Sequence, residues 1–317
     1  MKIIALTCMV FFMASFGAIS QTTYAFKVIP LGVKGGLDEG NLSAYMLAAE
    51  GSDDYVCLDA GTVYDGIERA VDKGVFKKPA LYVLKNNIKG YLISHPHLDH
   101  VAGLIINSPA DTAKNIYGTA ATLNVLQKHY FSWESWANFG DAGEKPMLNK
   151  YHYVTLEPQA ETKLANTSLT VKAFKLSHSK PYESTAFLIN SNGNYLLYLG
   201  DTGADTIEHS NNLSELWQYC SPLIKTGKLK AIFIEVSFDN EQPEKLLFGH
   251  LTPKLLMSEM HELAALCGSE NLQKVSIVIT HIKPSERGEA LIKQELQNEN
   301  KQGLKLVYPM QAQLLQF

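Results

Sequence analysis

Between Ser94 and Gly103 the chain reads Ser-His-Pro-His-Leu-Asp-His-Val-Ala-Gly, so three imidazoles and a carboxylate fall within six positions. The stretch follows Tyr91-Leu92-Ile93, an apolar run with the composition of a buried strand. A strand end is a rigid edge beside a cleft, the usual place for a site in layered α/β folds. His95 and His97, two apart on an extended segment, point the same way. Asp99 and His100 lie where the chain turns into a helix and point to a second position. Imidazole nitrogen with carboxylate oxygen suits zinc, or failing that manganese or iron. Three further candidates close later apolar runs: His178 after Phe174–Ser177, Asp201 after Tyr198–Gly200, and His281 after Ile277–Thr280. Alone, each is an ordinary capping or surface residue. Together with the 95–100 cluster they complete a site for two cations, and Asp201 is the natural carboxylate to bridge them. No Gly-x-Ser-x-Gly or phosphate-loop pattern is present, so the chemistry requires no serine nucleophile.

The elements that must position these groups are short. Apolar runs ending at Gly, Asn, Asp or Pro predict strands over 44–47, 55–58, 90–93, 115–117, 169–176, 185–189, 195–199, 231–236, 276–279 and 304–307. Helical patterns cover 63–76, 120–129, 206–224, 253–266 and 286–297. This order predicts an α/β chain of two sheets covered by helices, not one doubly wound sheet. Residues 130–160 stand apart, carrying Tyr130, Phe131, Trp133, Trp136, Phe139, Tyr151 and Tyr153 among Gly and Pro. A structureless loop of that length is uncommon unless functional, so an ordered insertion or lid is expected. Trp133, Trp136 and Phe139 are its candidates for stacking a purine, with packing of the insertion onto the body as the alternative.

With 317 residues, 46% hydrophobic and 19% charged, the chain can bury a large core. A net charge of −4 leaves no basic excess for neutralising a run of phosphates, which argues against a nucleic-acid partner. Lys2, an uncharged apolar run over 3–19 and the small-x-small exit Ala18-Ile19-Ser20 predict a secretory signal peptide over 1–20. The mature chain, 21–317, would then be secreted across the inner membrane and be periplasmic in a Gram-negative cell. The run is shorter than the ~20 residues of a spanning helix, which argues against an uncleaved anchor, and no second apolar run of membrane length follows, so no stable membrane insertion is expected after cleavage. Cleavage removes Cys8 and leaves Cys57, Cys220 and Cys267, which allow at most one disulfide. Cys57, inside a strand pattern, reads as a small buried hydrophobe.

The pattern His-x-His-x-Asp-His, followed by His, Asp and His at successive strand ends, resembles the metallo-β-lactamase superfamily. Within it, His95-Pro-His-Leu-Asp-His-Val-Ala-Gly-Leu-Ile-Ile-Asn-Ser-Pro109 is similar to the signature of class II cyclic-nucleotide phosphodiesterases. So are Leu58–Thr62, Glu183–Phe187, Tyr198–Thr202, Phe233–Ser237 and Gly249–Thr252. The resemblance implies an αββα sandwich, two mixed sheets flanked by helices, as a single domain over 21–317. It implies two divalent ions, zinc first. His95, His97 and His178 would hold one, Asp99, His100 and His281 the other, and Asp201 would bridge them. Asp99 would also take part in catalysis, and Asp59 would fix the tautomer of a ligand histidine. His250 would assist the leaving group, backed by Glu235. The implied substrate is cyclic AMP, with cyclic GMP a further candidate, hydrolysed to the 5′-nucleotide by a hydroxide activated between the two metals. The alternative keeps the fold and changes the substrate, to that of a nuclease-like phosphodiesterase, a lactonase or a thioesterase. A non-catalytic binding protein would be expected to have lost a ligand, and every ligand position is filled.

Overall fold

The computed structural model describes residues 24–286 and 288–317, so the expected signal segment over 1–20 lies outside the described residues. In the first half, β1 (Phe26–Gly32), β2 (Ala44–Ala49) and β3 (Tyr55–Leu58) form an antiparallel meander. Then come α1 (Tyr64–Asp72), α2 (Ala80–Asn86), β4 (Ile88–Leu92), α3 (Leu98–Asn107), β5 (Lys114–Gly118), α4 (Ala120–Val125) and β6 (Tyr151–Thr155), with β4, β5 and β6 all parallel to β3. The second half repeats the plan. An antiparallel run of β7 (Thr162–Lys163), β8 (Thr170–Ser177), β9 (Glu183–Ser191) and β10 (Asn194–Leu199) leads into α5 (Asp205–Glu208), α6 (Asn212–Lys225), β11 (Leu229–Glu235), α7 (Pro253–Cys267), α8 (Ser269–Leu272), β12 (Ser276–Thr280), α9 (Gly288–Glu299) and β13 (Lys305–Val307). Strands β11, β12 and β13 run parallel to β10. Finally β14 (Leu315–Gln316) returns to pair with β1. The two sheets are ordered β14-β1-β2-β3-β4-β5-β6 and β13-β12-β11-β10-β9-β8-β7.

Three apolar layers hold the sandwich. Phe26, Val28, Tyr45, Leu47, Phe233 and Val278 pack between the sheets. Ile29, Leu31, Met46 and Ile93 face α1 to α3, and Ile232, Ile234, Ile277 and Ile279 face α6, α7 and α9. Alternate residues of one strand thus enter different layers, as the period of two requires. Strands covered on both faces read as continuous apolar runs, which is why the strand predictions for the central strands are the accurate ones. Cys57 is buried on β3, and Cys220 and Cys267 are buried free thiols. Among the described residues no helix is long and apolar enough to cross a membrane.

Local chemistry explains where the predicted elements differ. The helix expected over 206–224 is two helices, because His209 takes a left-handed backbone (φ 51°) that ends α5. The helix expected over 120–129 gives way after Val125 to a single π turn, Leu126–Tyr130. Residues 151–155 of the expected lid are β6, the edge strand of the first sheet, whose neighbour β5 fixes it by a parallel ladder.

Candidate metal centre

The parallel strands deliver the site. Asp59 follows β3 and His95 lies just beyond β4. Asp201 lies just beyond β10, Glu235 ends β11, and His281 follows β12. The N-terminus of α3 is docked by backbone onto the loop after β3: Ala60 N–H donates to His100 O (2.8 Å) and Gly103 N–H to Gly61 O (2.8 Å). A Cβ on Gly61 would stand 2.1 Å from Asp99 O, so only glycine lets the loop come this close. Gly35 plays the same part after β1, since its Cβ would lie 2.2 Å from His281 Cε1. Asp59 (φ 54°) and His281 (φ 57°) both take left-handed backbone, a strain of about 1–2 kcal/mol each that aims their side chains inward.

Four overlapping groups of ligand atoms result, and two of them, one of His178, Asp201 and His250 and one of Glu235, His250 and His281, include His250. Of the other two, the first is His95, His97 and His178; the second is Asp99, His100, Asp201 and His281. Within each group the nearest ligand atoms lie within 4.8 Å of one another. Asp201 sits at the centre. Its Oδ1 is 3.2 Å from His100 Nε2, and its Oδ2 is 3.3 Å from His281 Nε2, 3.7 Å from His95 Nε2 and 3.9 Å from His178 Nε2. Asp99 Oδ2 accepts from Gly36 N–H (3.1 Å) and lies 3.1 Å from His281 Nε2. The seven residues come together from sequence positions up to 186 apart.

The outer nitrogens of the rings are held by a repeated device. Asp59 Oδ2 accepts from His100 Nδ1–H (2.8 Å), Tyr198 O–H (2.7 Å) and Ser94 Oγ–H (2.7 Å), and its Oδ1 accepts from Ser94 N–H (2.7 Å). Ser94 Oγ in turn accepts from His95 Nδ1–H (3.0 Å). One buried carboxylate therefore orients a histidine of each group, one directly and one through a serine. On the other sheet Glu235 Oε1 accepts from His250 Nδ1–H (2.7 Å), while its Oε2 accepts from Ser237 Oγ–H (2.6 Å), and that hydroxyl accepts from His281 Nδ1–H (2.9 Å). His178 Nδ1–H donates to Gly249 O (2.9 Å). For His95, His100, His178 and His281 this leaves Nε2 facing Asp201, the arrangement that metal-ligating histidines require, whereas His250 turns its Nε2 to Lys283.

Electrostatics point the same way. Burial lowers the pKa of His95 well below the ordinary imidazole range, with His100 adding to the effect, and it lowers that of His97 to about 4, with His178 adding. Burial would raise the Asp201 carboxyl, but His281 and His100 outweigh it and hold it well below its usual range. Burial likewise opposes charge on His100, and Asp201 and Asp59 overcome it. His95 Nε2 is buried with no hydrogen-bond partner. Such an orphan costs about 1–3 kcal/mol, and its gap to Asp201 is too long for a hydrogen bond. An orphaned nitrogen, five imidazoles and two carboxylates aimed into one place fit divalent cations.

His250 and Glu235 lie beside the second group. The His250 ring stacks on His281 (5.4 Å between centroids, 20° between planes), and its Nε2 accepts from Lys283 Nζ (2.9 Å). Burial works against charge on His250, but Glu235 holds its pKa above the ordinary range. The three aromatic candidates are not brought to the cluster. Trp133 Nε1–H donates to Pro146 O, Trp136 Nε1–H donates to Ser108 Oγ at the far end of α3, and Phe139 packs edge-on to Phe131. Trp133 fastens the insertion to itself and Trp136 fastens it to the end of α3, and it touches the ligand loop through Tyr130 O–H on Pro96 O (2.9 Å). Sequence reasoning missed Ser94, Ser237, Tyr198, Gly35 and Lys283. A small hydroxyl residue beside a ligand or acid at a strand end is a legible signal for the two serines. Lys283, two residues after His281, is legible only from its contact.

Solved structures with this fold define its class. Unliganded yeast PDE1 superposes with a TM-score of 0.82 at 23% identity, over 93% of this chain and 100% of that one. The metallo-β-lactamase fold protein YhfI from Bacillus subtilis superposes with a TM-score of 0.62 at 16% identity, over 93% and 100%. The fold is the metallo-β-lactamase αββα sandwich. Residues 77–310 match the family of class II cAMP phosphodiesterases. The chain is 43% identical over 314 residues to the 3′,5′-cyclic-nucleotide phosphodiesterase of Aliivibrio fischeri, covering 95% of each. It belongs to the class II phosphodiesterase family, a family of metal-dependent hydrolases.

Proposed function

We propose that this protein hydrolyses 3′,5′-cyclic AMP, and cyclic GMP as a second substrate, to the 5′-nucleotide at the Asp201 cluster. The observation that carries the reading is the meeting of His95, His97, His178, Asp99, His100 and His281 around the buried Asp201 carboxylate. The assignment of one cation to the first group and one to the second, bridged by Asp201, is part of the proposal, as is zinc. Bound there, the two cations would supply an activated water and positive charge for the phosphoryl oxygens.

The chain's own residues do the rest. Lys283, whose ammonium has no carboxylate within ion-pair distance among the described residues, turns from His250 Nε2 to a non-bridging phosphoryl oxygen. His250, with Nδ1–H fixed on Glu235, takes up a solvent proton at the Nε2 that Lys283 has left and gives it to the departing 3′ oxygen. Glu235 favours the imidazolium that this step needs. Asp99, the less buried of the two cluster carboxylates, accepts the proton released by the attacking water. Asp59 and Ser94 hold ring orientation without touching substrate. Export to the periplasm is proposed on the sequence of residues 1–20 alone.

Purified protein should hydrolyse both cyclic nucleotides and contain about two metal ions per chain. Asp201→Ala and His97→Ala should abolish turnover, and near-parental rates in either would remove the cluster from the chemistry. His250→Ala should lower turnover about 10²–10⁴-fold with metal content intact. Loss of metal in that variant would make His250 a ligand instead. N-terminal sequencing of periplasmic material should begin at Gln21, and a retained Met1 would sink the export reading.

A further inference from the structure

Beside the metal centre, a cleft of about 630 Å³ opens between α3 and the loops that follow β1 and β3. That volume lies in the range of about 300–1,000 Å³ that seats small organic ligands. One wall is the outer face of α3, where Leu98, Ala102 and Ile106 repeat every fourth residue. Leu98 and Ile106 are each 62% exposed, so this apolar stripe has no partner in the fold, while the opposite face of α3 fills the core. Tyr64 supplies the single ring among the lining residues. Its backbone N–H is held by Asn107 Oδ1 (3.1 Å), which ties α1 to α3 across the cleft. The polar rim carries the carboxylates of Glu39 and Asp65, the latter braced by Arg69 Nε (2.9 Å), and no lysine, arginine or histidine is among the lining residues.

The cleft adjoins the metal centre, because Asp99 lines the one and belongs to the other. These features sort the parts of a cyclic nucleotide. An anionic phosphate is disfavoured by the carboxylate rim and belongs at the cationic end. A flat apolar ring with exocyclic N–H donors suits aliphatic walls, one aromatic ring and carboxylate acceptors. On the reading of the protein as a cyclic-nucleotide phosphodiesterase, we infer that this cleft is the base subsite. The purine lies against Leu98, Ala102 and Ile106, with its amino edge toward Glu39 and Asp65. The aromatic residues of the 130–160 insertion have no part in it.

Steady-state kinetics with cyclic AMP and with base-free ribose 3′,5′-cyclic phosphate tests this. Ala102→Phe fills the cleft, and Leu98→Ser/Ile106→Ser strips its exposed wall without opening the core. Each should raise KM for cyclic AMP about tenfold or more with metal content as in the parent. The ratio of kcat/KM for cyclic AMP over the base-free substrate should fall by a similar factor. An unchanged KM and ratio in both variants, with a parent active on cyclic AMP, overturns the base subsite alone. A metal-loaded parent inactive on cyclic AMP overturns the phosphodiesterase reading and the subsite with it.

Discussion

Replacing Asp59 by Asn isolates the device that orients the metal ligands. The carboxylate takes four hydrogen bonds, three on Oδ2 and one on Oδ1. Asparagine offers a single acceptor oxygen. Placed at Oδ2, that oxygen keeps Ser94 Oγ, Tyr198 and His100, and the new NH2 is driven against Ser94 N–H, which stood 2.7 Å from Oδ1. Turned round, the amide keeps Ser94 N–H and presents NH2 to His100 Nδ1. The ring can accept only by moving its proton to Nε2, the nitrogen 3.2 Å from Asp201. One orientation orphans a buried donor and the other hands the cluster a protonated nitrogen. The loss of at least one charge-assisted bond and its partner predicts about 2–4 kcal/mol of destabilisation. Metal affinity should fall about 10–100-fold. Because Ser94 relays the same carboxylate to His95, both ligand groups should weaken, whereas Ser94→Ala should spare His100 and weaken the first group more. Competition against a chromophoric chelator measures the affinities, and thermal unfolding with and without metal measures the stability. An Asp59→Asn protein with parental metal affinity and melting would refute the argument.

Three further outcomes are expected. Lys283→Met should raise KM for cyclic nucleotides about tenfold or more while metal content stays parental, with partial recovery in Lys283→Arg; equal KM values would remove Lys283 from phosphate binding. Gly35→Ala should displace the His281 ring, since the added methyl would sit 2.2 Å from Cε1. A cost of about 1–3 kcal/mol and loss of the second metal are predicted, and full metal content measured by elemental analysis would contradict the close-approach argument. Glu259, buried between α6 and α7, accepts from Trp217 Nε1–H (3.0 Å). Burial pushes its carboxyl from an ordinary 4.5 up to about 7. The folded state favours the neutral acid, so this contribution is whole below pH 4.5 and is lost as pH rises through about 7, by no more than about 3 kcal/mol. Denaturant titrations at pH 5 and pH 8 should show that slope in the parent and a flatter one in Glu259→Gln; identical slopes would exclude Glu259 as its source.

Local chemistry made much of this protein legible before any coordinates. The His95–His100 cluster is readable because its ligands sit in one loop, where spacing alone decides which side chains can meet. The doubly covered strands β10, β11 and β12 announce themselves as apolar runs. Strand β1 escaped notice because Pro30 and Gly32 dilute its pattern, and helix α2 because it is short. Strand β6 was hidden inside an aromatic stretch that reads equally as a lid, and only its ladder with β5 decides the matter. His178, Asp201 and His281 were legible as ligand-type residues closing apolar runs, but their division between the two cations, and the role of His250, came only through resemblance, because separations along the chain carry no distance information. What tertiary structure alone decided is which groups touch: the serine relays from Asp59 and Glu235, the Lys283 ammonium on His250, the glycine at position 35 under His281, and the unpartnered face of α3. Each is a contact between residues brought together by two sheets closing on one core, and a periodicity within one segment cannot encode a meeting between segments.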